Sequence, residues 1–241
     1  MSCDALGKSA RRPIFSNRKI GLRDGLRLRS WLLIIGLQFS SSWAVIAQNP
    51  APESLANRVD RHYNALHSLR VNFEQQYDGL GQHRRESGTL LLKKPGRMKW
   101  VYSKPVGKLF VLDGKYAYFY SPGQTEIERV PAKKLDDLRS PLRFLLGHAQ
   151  LAKEMTGLRL FPQGEDFDLS GIPKNQEQRV TSLTLTVTPD GMMRRIKIEE
   201  VDGSVSTFNF TAEAPNAAIA DADFVFQAPA GTAVVDGPAP E

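Results

Sequence analysis

Residues 88–120 decide the fold, and they read GTLLLKKPGRMKWVYSKPVGKLFVLDGKYAYFY. In this stretch short apolar runs are separated by turn residues, of which Pro95-Gly96 and Asp113-Gly114 are the clearest. Asp-Gly is a strong hairpin signal, and Pro-Gly marks a turn. The middle run has its large side chains two residues apart, as on one face of a strand: Met98, Trp100 and Tyr102. The stretch therefore predicts antiparallel strands joined by tight turns.

Helix and strand patterns continue on both sides of this stretch. Before it, apolar residues at helical spacing predict one amphipathic helix over residues 54–68, with Ser54 as its N-cap. After it, residues 131–156 have helical character, with a short helix predicted at 149–155. Further strand patterns follow, ending with short ones at 224–226 and 232–235. We therefore predict a mainly β (α+β) fold. Its strongly curved sheet forms an incomplete antiparallel β-barrel, with helices covering the open hydrophobic face.

Positive charge is concentrated at the start of the chain. The formal net charge is +6, and residues 1–47 carry eight Lys or Arg against two Asp or Glu, which leaves the remainder neutral. A neutral body argues against a nucleic-acid partner, because phosphate binding needs a basic excess. The basic leader precedes an apolar run at 31–37 and the small-residue sequence Val45-Ile46-Ala47, a pattern typical of a cleaved signal peptide at 1–47. We expect a single domain at 48–241, with a short flexible C-terminal tail, in the periplasm.

Motifs for catalysis or metal binding are missing from the sequence. It holds no G-x-S-x-G, no P-loop and no HExxH, and its one cysteine is Cys3 in the leader. Neighbouring acids occur as adjacent pairs such as Glu199-Glu200. In a strand such neighbours point to opposite faces, so they do not form a shared acid–base site. We therefore predict a protein that is not an enzyme and that uses no cofactor and no metal.

Large apolar side chains are dense on the predicted strands, and they allow two interpretations. One is ordinary core packing against the helices. The other is a lipid-binding cavity, in which the concave face of the curved sheet is too wide for its own side chains to fill. The candidate cavity residues are Leu90, Leu92, Met98, Trp100, Tyr102, Leu109, Val111, Tyr118 and Tyr120. Periodicity alone does not separate the two interpretations.

Three features occur in a fixed order: Lys94-Pro95-Gly96 followed by Trp100, then Asp113-Gly114-Lys115, then the aromatic triplet Tyr118-Phe119-Tyr120. In combination they resemble the LolA family of periplasmic outer-membrane lipoprotein carrier proteins. The resemblance extends over residues 54–235 and implies a hydrophobic cavity for the acyl chains of lipoproteins, without enzymatic activity. The partners it implies are acylated lipoproteins as cargo, an inner-membrane ABC lipoprotein-releasing transporter and an outer-membrane lipoprotein receptor. We expect the carrier to act as a monomer.

The resemblance also implies a helical lid. Residues 141–147 are similar to the family's lid helix, whose apolar side chains here are Leu142, Phe144, Leu145 and Leu146. Well-known members carry Arg before the motif proline, where it is thought to hold the lid shut, whereas this sequence has Lys94. Because lysine lacks the planar donor fork of arginine, we expect Lys94 to form a weaker latch to carbonyl groups near the lid.

An alternative function is that of a same-fold envelope sensor or receptor that binds lipids or lipoproteins. A receptor of this type would normally be a lipoprotein with cysteine at its mature N-terminus. The predicted mature chain contains no cysteine, which favours the carrier.

Overall fold

The structure, a computed structural model, describes residues 50–135 and 150–237. The first range contains α1 (Pro52–Ala65), β1 (Ser68–Gly79), β2 (Gln82–Lys93), β3 (Arg97–Lys104), β4 (Leu109–Leu112), β5 (Tyr116–Tyr120), β6 (Glu126–Pro131) and α2 (Ala132–Leu135). The second contains α3 (Leu151–Glu154), β7 (Met155–Gln163), β8 (Asp166–Pro173), β9 (Val180–Val187), β10 (Met193–Glu200), β11 (Val205–Pro215), a 3₁₀ helix (Asp221–Phe224) and β12 (Ala233–Asp236). Within these ranges no helix has the length and apolar character needed to cross a membrane.

The strands of both ranges form one sheet, in the order β12-β6-β5-β4-β3-β2-β1-β11-β10-β9-β8-β7. Neighbouring strands pair antiparallel, except that β12 runs parallel to β6. Strands β7 and β12 end this order and do not pair with each other in the described residues, so the sheet is unclosed. The predicted mainly β fold with an incomplete barrel is confirmed, and β12 adds a parallel pair.

A single buried cluster shows that the sheet is curved. The cluster joins Leu112 and Ala117 of β4 and β5 to Met155 and Leu169 of β7 and β8. With strands about 4.8 Å apart, β5 and β7 of a flat sheet would be separated by roughly 40 Å. The 14 residues of α1 span only about 21 Å, and their buried side chains belong to the same cluster. The sheet therefore curls around this apolar face, which we call the concave face.

Helix α1 lies on the concave face and is amphipathic, with Leu55, Ala56, Val59 and Tyr63 buried at helical spacing. It begins before the predicted residue 54 because Pro52 occupies the first turn, where its missing N–H leaves no hydrogen bond unmade. The N-cap is therefore the residue before Pro52 rather than the predicted Ser54. The helix ends at Ala65, three residues earlier than predicted, because the next residue is already extended.

Residues 216–226, which we call the C-terminal segment, lie against the opposite, convex face. Lys93 Nζ and Arg97 Nη1 lie 2.6 and 3.1 Å from the carboxylate oxygens of Asp221, and Lys99 Nζ donates to the backbone oxygen of Asp223 at 2.8 Å. All three cations alternate with the concave residues of β2 and β3, so they project from the convex side. The segment is therefore anchored by charged groups across two strands.

The strand predicted at residues 224–226 is wrong. Residues 221–224 form the 3₁₀ helix instead, and 225–226 are irregular. The physical reason is that this segment packs through side chains on the face of the sheet rather than along a strand edge. Phe224 is buried, and Phe226 stacks on Tyr118 with ring centroids 4.6 Å apart.

Several predicted segments lie outside the described residues. They are the signal peptide at 1–47, the end of the C-terminal tail beyond Gly237, and the lid residues Leu142, Phe144, Leu145 and Leu146. The helix predicted at 149–155 is described in part and is shorter than predicted, because α3 covers Leu151–Glu154 and the next residue begins β7.

Candidate functional site

The concave face carries five of the nine predicted cavity residues. Leu90, Leu92, Met98 and Trp100 are buried there, and Tyr102 is partly buried against them. Leu90 pairs with Trp100, and Leu92 pairs with Met98, across β2 and β3. Because directly opposed residues of antiparallel strands share one face, the two-residue alternation of the sequence brings these side chains together.

Aromatic rings form a continuous path along this face. The ring centroids of Phe73 and Trp100 are 4.5 Å apart, those of Phe73 and Tyr102 are 5.1 Å apart, and those of Trp100 and Phe208 are 5.9 Å apart. Each pair meets edge to face, a geometry that aromatic rings prefer. The indole N–H of Trp100 donates to the sulfur of Met98 at 3.0 Å. The path is thus an apolar surface suited to dispersion contacts with an alkyl chain.

The other four predicted cavity residues lie on the convex face. Trp100 pairs with Phe110 across β3 and β4, so Phe110 faces the concave side, and its neighbours Leu109 and Val111 point the other way. In the pairing of β4 with β5, Tyr120 lies opposite Leu109 and Tyr118 lies opposite Val111. Both tyrosines therefore lie on the convex face as well. The structure therefore does not bring the nine predicted residues into one site.

Sequence reasoning missed several residues of the concave face: Phe73, Phe110, Leu112, Phe208 and Phe210. For β11 a signal was present, because its two phenylalanines are separated by one polar residue. For β4 there was none, because the run at 109–112 is apolar at every position. Alternation cannot assign a face to such a run, and a shift of one residue exchanges the two faces.

One end of the concave face is charged rather than apolar. We call this group the polar cluster, and its members are Gln75, Tyr77, Arg84, Glu86 and Lys108, which line a cleft of about 60 Å³. Lys108 Nζ lies 2.7 Å from both carboxylate oxygens of Glu86 and 4.5 Å from the ring centroid of Tyr102. Burial, and secondly the charge of Glu86, raise the pKa of Tyr102 above its ordinary value, so this hydroxyl stays protonated at neutral pH.

Lys94, predicted as the latch, is bonded to the end of helix α1. Its Nζ donates to the backbone oxygen of Tyr63 at 2.6 Å and to that of Asn64 at 3.1 Å. These carbonyls belong to the last turn of the helix, where a cation also interacts favourably with the helix dipole. Burial lowers the pKa of Lys94. The latch role toward the lid remains a prediction, because the lid lies outside the described residues.

A second polar group holds α1 to the sheet through Tyr63. Its hydroxyl donates to Glu213 at 2.8 Å and accepts from the backbone N–H of Met193 at 2.9 Å. Burial raises the pKa of Tyr63, which keeps the hydroxyl available as a donor. His62 Nε2 lies 2.7 Å from the other oxygen of Glu213. Helix α1 is therefore held by specific polar contacts as well as by its apolar side.

Metal-ligating side chains are not clustered in residues 50–135 and 150–237, where no group of three or more His, Cys, Asp or Glu could hold an ion. The dominant feature of these residues is the continuous apolar concave face. The unclosed sheet and its apolar concave face together define a class of protein. This class is the half-open β-barrel, in which one curved sheet encloses apolar groups.

Comparison with known proteins narrows this class to one family. The family model of the outer membrane lipoprotein carrier protein LolA matches residues 64–227, and the chain belongs to this family. It is similar to the outer-membrane lipoprotein carrier protein of Photorhabdus laumondii, with 29% identity over 85% of this chain and 94% of that protein. With the protein of the same name from Pectobacterium carotovorum it shares 30% identity, over 87% of this chain and 98% of the other.

Among solved structures, the chain is similar to the LolA superfamily protein of Nitrosomonas europaea. The match covers 74% of this chain and 99% of the other, with 12% identity and a TM-score of 0.42.

Proposed function

We propose that this protein is a periplasmic carrier of lipid-modified proteins. It binds the acyl chains of lipoproteins released by an inner-membrane ABC transporter, and it delivers them to a receptor at the outer membrane. The role is that of a monomeric binding protein without enzymatic activity. Membership of the lipoprotein carrier family supports this proposal, and so do the carrier proteins that resemble the chain over most of its length.

The observation that carries the proposal is the apolar concave face around Trp100. A carrier must remove acyl chains from water, and each buried CH₂ group contributes about 0.8 kcal/mol. We assign the acyl contacts to Leu90, Leu92, Met98, Trp100 and Tyr102, which the structure brings together. The convex residues at 109, 111, 118 and 120 are left out of this assignment.

Cargo must enter and leave, so we propose that the cover of the concave face moves. The proposed cover includes the lid residues Leu142, Phe144, Leu145 and Leu146 together with α1. Lys94 contributes to the closed state by fixing the last turn of α1. Its single ammonium group makes a weaker latch than an arginine fork, which favours ready release of cargo.

A reconstituted transfer assay tests the proposed function. Proteoliposomes that contain the ABC transporter and a radiolabelled lipoprotein are incubated with ATP and this protein, and the soluble fraction is then mixed with outer-membrane vesicles. We expect a soluble complex of carrier and lipoprotein, followed by transfer of the label to the vesicles. Lipoprotein that stays in the proteoliposomes would contradict a carrier role, and binding without transfer would favour a sensor.

A further inference from the structure

The concave face changes from apolar to charged along neighbouring strands. On β1 the concave residues after Phe73 are Gln75 and Tyr77, and these pair with Glu86 and Arg84 of β2. Successive residues on one face of a strand are about 7 Å apart. The polar cluster is therefore a direct neighbour of the aromatic path and shares its face.

The contact between the two regions is continuous. Lys108 Nζ lies 4.5 Å from the ring centroid of Tyr102, whose ring contacts Phe73, and Phe73 contacts Trp100. Glycine at position 88 lets the backbones of β2 and β3 approach closely beside this path, because a Cβ there would meet the backbone oxygen of Val101 at 2.0 Å. A ligand with a long alkyl chain and a polar head matches this sequence of surfaces.

Hydrogen-bond donors in the polar cluster are not all used within the protein. Lys108 and Glu86 neutralise each other. The guanidinium of Arg84 lies 4.5 Å from the ring centroid of Tyr77, and its N–H groups donate to no other residue in the ranges 50–135 and 150–237. With two cations and one anion, the cluster carries one net positive charge. It thus offers donors to oxygen atoms of a neutral or anionic head group.

We propose that the polar cluster binds the polar head of an acylated cysteine, while its acyl chains follow the aromatic path. This inference rests on the proposed carrier function and adds a second site to it. The recognised groups are the ester carbonyl oxygens of the glyceryl unit, which accept hydrogen bonds from Arg84 and Lys108. The site therefore holds the acylated cysteine, where the acyl chains join the polypeptide of the cargo.

The neighbouring arginine provides a matched control. Arg85 lies on the convex face, where its Nε is 3.5 Å from Glu74 Oε1 and its Nη2 donates to Gln76 at 3.5 Å. Arg84 and Arg85 are adjacent in one strand and differ in the face they occupy. Replacement by methionine at either position keeps an unbranched stem and removes the guanidinium.

Binding of two synthetic lipopeptides tests the proposal. The first carries two ester-linked palmitoyl chains on a glyceryl-cysteine, and the second is its ether-linked analogue, which lacks the ester carbonyls. A fluorophore at the far end of each peptide reports binding to the full chain by anisotropy. We expect Arg84→Met to weaken binding of the ester lipopeptide about tenfold, because one charge-assisted hydrogen bond is lost. Binding of the ether analogue should weaken by less than about twofold. Arg85→Met should change neither affinity.

Other outcomes separate the two proposals. If the wild-type chain binds both lipopeptides and Arg84→Met leaves the affinity for the ester lipopeptide within twofold of wild type, the head-group site is overturned and the carrier function stands. The head-group site is likewise overturned if Arg84→Met weakens binding of both lipopeptides equally, because Arg84 would then make no contact specific to the ester carbonyls. If the wild-type chain binds neither lipopeptide, both proposals fail.

Discussion

At the scale of single residues, Lys94 joins strand β2 to the end of helix α1. We expect Lys94→Met to lower the free energy of unfolding by about 1–2 kcal/mol, because two helix-terminal carbonyls lose a charged donor. Lys94→Arg should preserve most of this energy, since arginine also donates to carbonyls. Urea unfolding measures both variants.

Lys104 is the control for this substitution. It also precedes a proline, but its side chain is exposed, so Lys104→Met should change the unfolding free energy by less than about 0.5 kcal/mol. Equal effects of Lys94→Met and Lys104→Met would show that Lys94 is an ordinary surface lysine and does not anchor α1.

Tyr63 offers a second test at this scale. Tyr63→Phe removes the hydroxyl that bonds both Glu213 and the backbone N–H of Met193. Leaving buried polar groups without a partner costs about 1–3 kcal/mol, and we expect a loss of this size in thermal or urea unfolding. Tyr120→Phe is the control, because the Tyr120 hydroxyl makes no hydrogen bond within the described ranges. A loss as large in the control would contradict the assigned contact.

Individual residues were predictable where polar and apolar positions alternate. In residues 97–102 the alternation placed Met98, Trp100 and Tyr102 on one face, as found. It failed for Leu109 and Val111 because both faces of β4 are apolar, and Val111 on the convex side is as fully buried as the residues of the core. A strand buried on both sides loses the polar positions that would reveal its orientation.

At the scale of elements, the C-terminal segment depends on charge. The hydrogen bond from Lys93 and the nearby charge of Arg97 lower the pKa of Asp221. A lowered pKa in the folded state means that the contact stabilises the fold above the unfolded value of about 3.9. This contribution is lost as the pH falls through the lower folded value.

Hydrogen exchange of the amides at 219–226 measures this contact. After correction for intrinsic rates, we expect Asp221→Asn to speed exchange several-fold at about pH 6. The difference between the wild-type protein and the variant should shrink as the pH is lowered below the ordinary aspartate pKa of about 3.9. Glu165→Gln, in the exposed turn between β7 and β8, should leave these amides unchanged. Identical protection in Asp221→Asn and wild type at neutral pH would show that the segment is held by other contacts.

Elements themselves were largely predictable, whereas contacts between distant elements were not. The turn residues and apolar runs gave the order of helix and strands. The 3₁₀ helix at 221–224 was missed because it is defined by ion pairs to β2 and β3, more than 120 residues earlier in the chain. Local sequence patterns carry no information about such partners.

At the scale of the whole molecule, one long sheet curls so that a single apolar face becomes enclosed. This arrangement was predicted from the sequence, through the succession of hairpins and through the family resemblance. The residues of the site were predicted only in part, because the resemblance indicates a cavity but does not specify the register of β4 and β5. The central claim that follows is that acyl chains bind at the concave face beside Trp100.

Quenching of Trp100 by brominated acyl chains tests this claim most directly. Trp100 is only 3% exposed, so a shift of its emission on binding would be small, whereas bromine quenches indole fluorescence on contact. The full chain with Trp31→Phe and Trp43→Phe has Trp100 as its one tryptophan. A control with Trp100→Phe and Tyr118→Trp in addition places the single indole on the convex face.

We expect lipopeptides with brominated chains to quench Trp100, unbrominated lipopeptides to leave its intensity unchanged, and neither to quench the indole at position 118. Saturated binding of the brominated lipopeptide without quenching of Trp100, or with equal quenching at position 118, would contradict acyl-chain binding at the concave face.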